Sequence, residues 1–145
     1  MPIPEFVRAL RSVVGTSPLW LSGVSAVVLD DDRRVLLTLR ADNNTWAVVS
    51  GILEPGEETG VDASILRLTS VDVTDPIAYP NGDVAQYLDI TFLARYTGGT
   101  PHVADDENLD VAWFALDALP ENLTATSRLR IEKAIAGDPS AWFRR

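Results

Sequence analysis

The sequence predicts an α+β domain in which many strands are bracketed by a helix at each end, with one further helix expected in the middle. Three observations carry that expectation. Apolar residues recur at helical spacing near both termini, alternating β-branched and aromatic runs fill the middle, and clusters of Asp, Asn, Gly and Pro separate the runs. The chain has 145 residues, a formal net charge of −9 and no cysteine. That length suits one domain with a real core, divided into a lead-in at 1–19, a core at 20–120 and a C-terminal helical segment at 121–145. The acidity argues against binding to nucleic-acid backbones, which needs clustered Lys and Arg. No apolar run approaches the length of a membrane span, and the first residues lack the apolar stretch of a signal peptide. The absence of cysteine removes disulfide and thiol chemistry and fits a cytoplasmic protein.

The elements follow in order. Phe6, Val7, Leu10, Val13 and Val14 have helical spacing, so 4–14 is expected to form a short amphipathic helix ending near Gly15. Residues 22–29 and 35–40 are two apolar runs joined by the polar turn Asp30-Asp31-Asp32-Arg33, which predicts a hairpin. A turn at 42–45 precedes a short strand at 46–49. Strand patterning returns at 63–73, and 76–83 (PIAYPNGD) is expected to be a loop on its Pro and Asn-Gly content. Residues 86–96 alternate over a long strand, 109–114 form another, and Leu119-Pro120 makes a turn. Residues 124–136 predict a terminal helix with Leu129, Ile131 and Ile135 on a buried face and Gly137 just beyond its end.

The segment from Trp46 to Val61, WAVVSGILEPGEETGV, carries the chemistry. It resembles the two ends of the Nudix box, whose family pattern is G-x5-E-x7-R-E-U-x-E-E-x-G-U with U aliphatic. Gly51 and Glu57 match the opening G-x5-E, and Glu58-Thr59-Gly60-Val61 matches the closing E-x-G-U. The family sets the closing Gly fifteen positions after the first Glu; here Gly60 is three positions after Glu57. Twelve positions are therefore missing, including the Arg and two of the three clustered carboxylates. The flanks extend the resemblance over about residues 20–120. Val35-Leu36-Leu37 with Arg40, Trp46 before the box, and Ala112-Trp113-Phe114 followed by Leu119-Pro120 all stand where members have them. One departure is Val49-Ser50-Gly51, where many members read P-G-G.

The resemblance implies a Nudix-like α/β/α sandwich on a mixed β-sheet, here with the catalytic helix apparently deleted. It also implies phosphoanhydride hydrolysis of nucleoside diphosphate-linked or nucleoside triphosphate substrates with Mg²⁺ or Mn²⁺. In the family, box carboxylates at i, i+3 and i+4 share one helix face and hold the cation. Carried over residue by residue, Glu57 matches the first box Glu without its Arg partner. Glu58 matches the last Glu, a metal ligand, and Gly51 the loop position whose carbonyl often ligates metal. Glu107, in the acidic run Asp105-Asp106-Glu107, stands where some members keep a further carboxylate. Arg40 is a candidate for substrate phosphate, and Tyr87, with Tyr79, for the base. Each has a plainer alternative: a turn glycine for Gly51, solvated loop charges for Glu57, Glu58 and Glu107, a strand end for Arg40 and packing for the tyrosines. Glu54 has no specific role, and His102, the only histidine, matches no motif.

Three accounts of the gap stay open. Twelve further residues belong here, or they have been deleted, or a second copy covers the sheet face that a helix would have covered. The expected partners are a nucleotide-type small molecule and, in the last account, another copy of the chain, with no nucleic-acid polymer and no membrane. As written, the sequence predicts weak or absent hydrolysis. The alternatives are a catalytically silent module that binds a nucleotide or a protein, or a domain-swapped deletion product.

Overall fold

The computed structural model describes residues 3–52, 60–104 and 106–144. Ten elements follow along the chain: α1 (Glu5–Val14), β1 (Leu19–Leu29), β2 (Arg34–Arg40), β3 (Trp46–Ile52), β4 (Val61–Val73), β5 (Ile77–Ala78), β6 (Val84–Gly99), β7 (Asn108–Ala115), α2 (Ala125–Ile135) and β8 (Trp142–Phe143). The strands form one mixed sheet in the order β7-β2-β3-β1-β6-β4-β8, with β5 paired to β6. Its spine is the parallel ladder between β1 and β6, unbroken from Leu19↔Ala85 to Leu29↔Arg95. Every predicted strand and both predicted terminal helices are present, and among the described residues no helix lies between them. Among the described residues, no helix is long and apolar enough to cross a membrane.

Three details depart from the sequence expectation. The β1–β2 hairpin closes through the Asp30–Arg33 turn, but the two strands pair only at Leu29↔Val35. The first half of β3 pairs with β2 and the second half with β1, so β3 separates the hairpin arms. The stretch 76–83 is not all loop: Ile77 and Ala78 pair with Ala85 and Val84 across a turn in which Gly82 takes a φ of 88°. The C-terminal segment adds a strand after its helix, because Trp142 and Phe143 reach back to pair with Ser70 and Val71. Short strands like these carry too little alternation to be read from sequence.

Cross-strand partners share a face, so the ladders sort the core into two sides. On one side Val27, Val35, Leu37 and Val48 bury against Ile131 and Ala134 of α2. At the other end of that side, Val7 of α1 packs on Leu21 and Ala85. Arg11 ties α1 down by donating to the carbonyls of Gly15, Ser17 and Val84 at 3.1, 2.6 and 2.8 Å. Helix α2 starts cleanly because the Thr124 hydroxyl accepts from the Ser127 N–H at 3.2 Å. Both described helices therefore cover the same face. The opposite face buries Val28, Leu36 and Ala94 toward β2 and β7. Toward β4 it carries Val71, Ile90 and Phe92, half-buried, with Trp20, Leu88 and Ile65 exposed and no described helix above them.

Between the two helices, on the covered face, lies a buried charge. Asp89 accepts from the hydroxyls of Ser25 and Thr91, each at 3.0 Å, and pairs with Arg130 Nε at 3.2 Å. The side chains of Arg130 and Asp89 are 14% and 6% exposed. This network joins α2 to the β1–β6 spine. Removing one member of a buried pair leaves an uncompensated charge, so Asp89→Ala is expected to destabilise the fold by about 3–5 kcal/mol. Loss of the α2 cap in Thr124→Ala should cost only about 1 kcal/mol. Urea unfolding of the two variants checks both values, and a smaller loss for Asp89→Ala than for Thr124→Ala would contradict this account of the network.

Candidate active site

The two ends of the box motif are set by glycines. Gly51 lies in β3 opposite Val24 of β1. Gly60 begins the approach to β4 with a φ of 68°, a conformation that favours glycine. A Cβ on Gly60 would overlap the His102 ring, and one on Gly99 (φ 82°) would overlap the Gly60 carbonyl. The chain after β6 thus folds back over the start of β4 at van der Waals distance, and only glycine fits at both positions. His102 is held there by a contact of 3.0 Å between Nδ1 and the Thr100 carbonyl.

Eight residues, 53–60, connect β3 to β4. Ile52 stands opposite Gly23, whose partner on β6 is Asp89, whereas Val61 stands opposite Gly99. The stretch of β6 from Asp89 to Gly99 measures roughly 33 Å if straight, and three interstrand steps add roughly 14 Å sideways. Nine Cα steps reach at most roughly 30 Å. Glu54, Glu57 and Glu58 belong to this connection and lie outside the described residues, as does Asp105.

The rest of the candidate set gathers at the end of β2. The Arg40 guanidinium donates to both Asp42 oxygens, Nε at 3.0 Å and Nη2 at 2.7 Å. This pairing raises the pKa of Arg40, and the same hydrogen bond holds the Asp42 carboxyl below the usual range. The Ala41 N–H donates to the Glu107 carbonyl at 2.7 Å, which sets β7 and its acidic approach beside Arg40. Arg40 and Glu107 line one shallow concavity with Thr38, Ala47, Val49 and Ser50, and its open space of about 20 Å³ has room for about one water molecule. Tyr87 packs beside Val7 and Leu21, and its hydroxyl meets that of Tyr79 at 2.7 Å. Burial first, then this hydrogen bond, push the Tyr87 pKa well above the usual tyrosine range, against the lowering effect of Arg11 and Arg40.

No family model matches the chain. Two known proteins do. A MutT-like protein of Streptomyces ambofaciens is 29% identical over 124 residues, covering 83% of this chain and 80% of the relative. The NAD-capped RNA hydrolase NudC of Vibrio atlanticus is 30% identical over 109 residues, covering 66% of this chain. The match spans only 38% of NudC's length. Among solved structures, the MutT Nudix hydrolase of Burkholderia pseudomallei superposes with a TM-score of 0.58 at 27% identity, over 79% of this chain and 98% of that one. The chain belongs to the Nudix hydrolase family.

In this Nudix chain the mixed sheet and its two helices match the family fold. Arg40 and Glu107, far apart in sequence, meet in one concavity, and Gly51 sits on the neighbouring strand. Tyr87 lies on the other side of β3, against α1. Among the described residues, no three His, Cys, Asp or Glu side chains are grouped to hold a metal ion. The described part of the site thus does not by itself make a divalent-cation centre. Two features escaped the sequence analysis. Asp42 had been absorbed into a turn, although an Asp two residues after a strand-ending Arg is placed to chelate it. Asp89 interrupts the apolar alternation of β6, a signal of a buried partner that names no partner.

Two titrations test these environments. Arg40→Ala should raise the Asp42 pKa toward its ordinary 3.8, observable by NMR of the carboxyl group. Because the folded-state value is depressed, the pair stabilises above the unfolded pKa and is lost as pH falls through the folded one. Both side chains are more than one-third exposed, so the effect on stability is at most about 1 kcal/mol. Tyr87 behaves oppositely: its contribution is complete below the unfolded value of 10.0 and is lost as pH rises above it. Tyr87→Phe should therefore flatten the alkaline decline of stability in urea unfolding between about pH 9.5 and 11.5; an unchanged decline would contradict the assigned environment.

Proposed function

We propose that this chain is a Nudix hydrolase scaffold for cleaving a phosphoanhydride in a nucleoside diphosphate-linked or nucleoside triphosphate substrate, with hydrolysis weak or absent in the chain as it stands. The observation that carries this is the eight-residue β3–β4 connection, which is shorter than the twelve positions the box motif lacks. The solved UDP-X diphosphatase, at 21% identity, supports only the fold; the nucleotide substrate class rests on the family and on NudC.

In this proposal Arg40 draws the substrate phosphates toward the concavity it shares with Glu107, and Tyr87 with Tyr79 lies toward the base. Glu58, Gly51 and Glu107 are the groups that would hold Mg²⁺ or Mn²⁺, with Glu57 beside them. A bound divalent cation would neutralise the diphosphate and lower the pKa of a water. A lone box carboxylate cannot reproduce a cluster that fixes such an ion. The fold supports the proposed scaffold, and the site roles are part of the proposal. A cytoplasmic location and a single-domain organisation are proposed with it.

The deciding measurement is Mg²⁺-dependent release of nucleoside monophosphate or phosphate from a panel including ADP-ribose and deoxynucleoside triphosphates. A second protein carries a twelve-residue box helix inserted between Glu57 and Glu58. The native chain is expected to turn over at least about 100-fold more slowly, because even losing an outer-shell partner of a metal ligand can cost that much. Equal turnover by the two proteins would refute the proposal of crippled hydrolysis. The second possibility is a silent nucleotide- or protein-binding module, for which Arg40 at the concavity would supply a cation for phosphate. Calorimetry showing nucleotide binding independent of Mg²⁺, without turnover, would select it.

A further inference from the structure

The chain exposes two apolar surfaces of complementary shape. One is the sheet face opposite both described helices. There Trp20 is 64% exposed, Ile65 67% and Leu88 39%, around the half-buried Ile90 and Phe92. The other belongs to α1. Its contact with its own sheet is made by Val7 and Arg11, while Phe6, Leu10 and Val13 form a second stripe at i, i+4 and i+7. Those three are 47, 43 and 84% exposed. A sheet face with no helix on it among the described residues and a helix with an unused apolar stripe are the two halves of one packing layer.

The two surfaces cannot meet within one molecule. Val7 and Arg11 fix α1 to the covered face of the sheet, and the open face points the other way. We infer that the open sheet face is a docking surface for α1 of a second copy, through the Phe6–Leu10–Val13 stripe, reciprocally in a two-fold dimer. Dimensions and charge favour this occupant. A ten-residue helix is about 15 Å long, close to the roughly 20 Å of β1 between Trp20 and Ala26. Trp20 alone leaves roughly 150 Å² uncovered, and two reciprocal contacts of several hundred Å² reach the lower range of specific interfaces. The charged residues of α1, Glu5 and Arg8, lie on the helix side away from the stripe. The centre of the open face carries no charged side chain from β1, β6 or β4. Two chains of net charge −9 can meet there without bringing carboxylates together.

Sedimentation velocity from 1 to 100 μM and single-cysteine cross-linking test the inference, and neither depends on catalysis. The native chain is expected to dimerise. Leu10→Glu and Trp20→Glu, both at exposed positions, should each weaken the dimer at least tenfold, with circular dichroism unchanged. Because the chain has no cysteine, V13C and S22C proteins can be mixed with a short bis-maleimide. Cross-links should join V13C to S22C in preference to like pairs. A monomer throughout the range, a dimer indifferent to Leu10→Glu, or cross-linking confined to S22C with S22C would each overturn it. The last outcome would mean that the sheet faces pack directly on each other. If the charge variants fail to fold, the cross-linking pattern still decides.

Discussion

The eight residues between β3 and β4 constrain everything else in this protein. Ile52 at the start of this connection lies level with Asp89, within the first half of β6, and Val61 after it lies beside Gly99, the last residue of β6, on the far side of β1 and β6. The described helices both lie on one side of the sheet.

That asymmetry explains where polar and apolar groups are found. The covered face can hold a buried carboxylate, because α2 brings Arg130 to Asp89 while Ser25 and Thr91 supply two hydroxyl donors. The open face toward β4 is lined by apolar side chains without charges at its centre, the composition of a surface that packs against something. Helix α1 has a matching surplus, since only Val7 among its apolar residues is buried. The same constraint separates the candidate site into parts: Arg40, Asp42 and Glu107 are fixed by the β2–β7 ladder and its turn, whereas the box carboxylates depend on the short connection.

Much of the fold was legible in the sequence. The apolar spacing of Phe6 to Val14 marked α1, Thr124 and Gly137 marked the limits of α2, and the alternation of 86–96 marked β6, because these signals are local. The long ladders were not legible as pairings: nothing in 22–29 says that β1 lies parallel to β6 rather than mainly beside β2. Within the site, Gly51, Glu57 and Glu58 were found by motif and Arg40 and Glu107 by their flanks. Asp42 and Asp89 were missed, since their roles come from Arg40 and from Arg130, 41 positions further along the chain in the latter case.

By itself the sequence determined the element types and the family resemblance, since periodicity, caps and motif ends are written in neighbouring residues. It also set the shortened box, which is a matter of counting. Only the tertiary structure decided which sheet face each helix covers, that Arg40 and Glu107 share one concavity, and that Gly60 and Gly99 must be glycine because His102 and a backbone carbonyl crowd them. Those facts depend on strand register, and register is fixed by contacts between residues tens of positions apart.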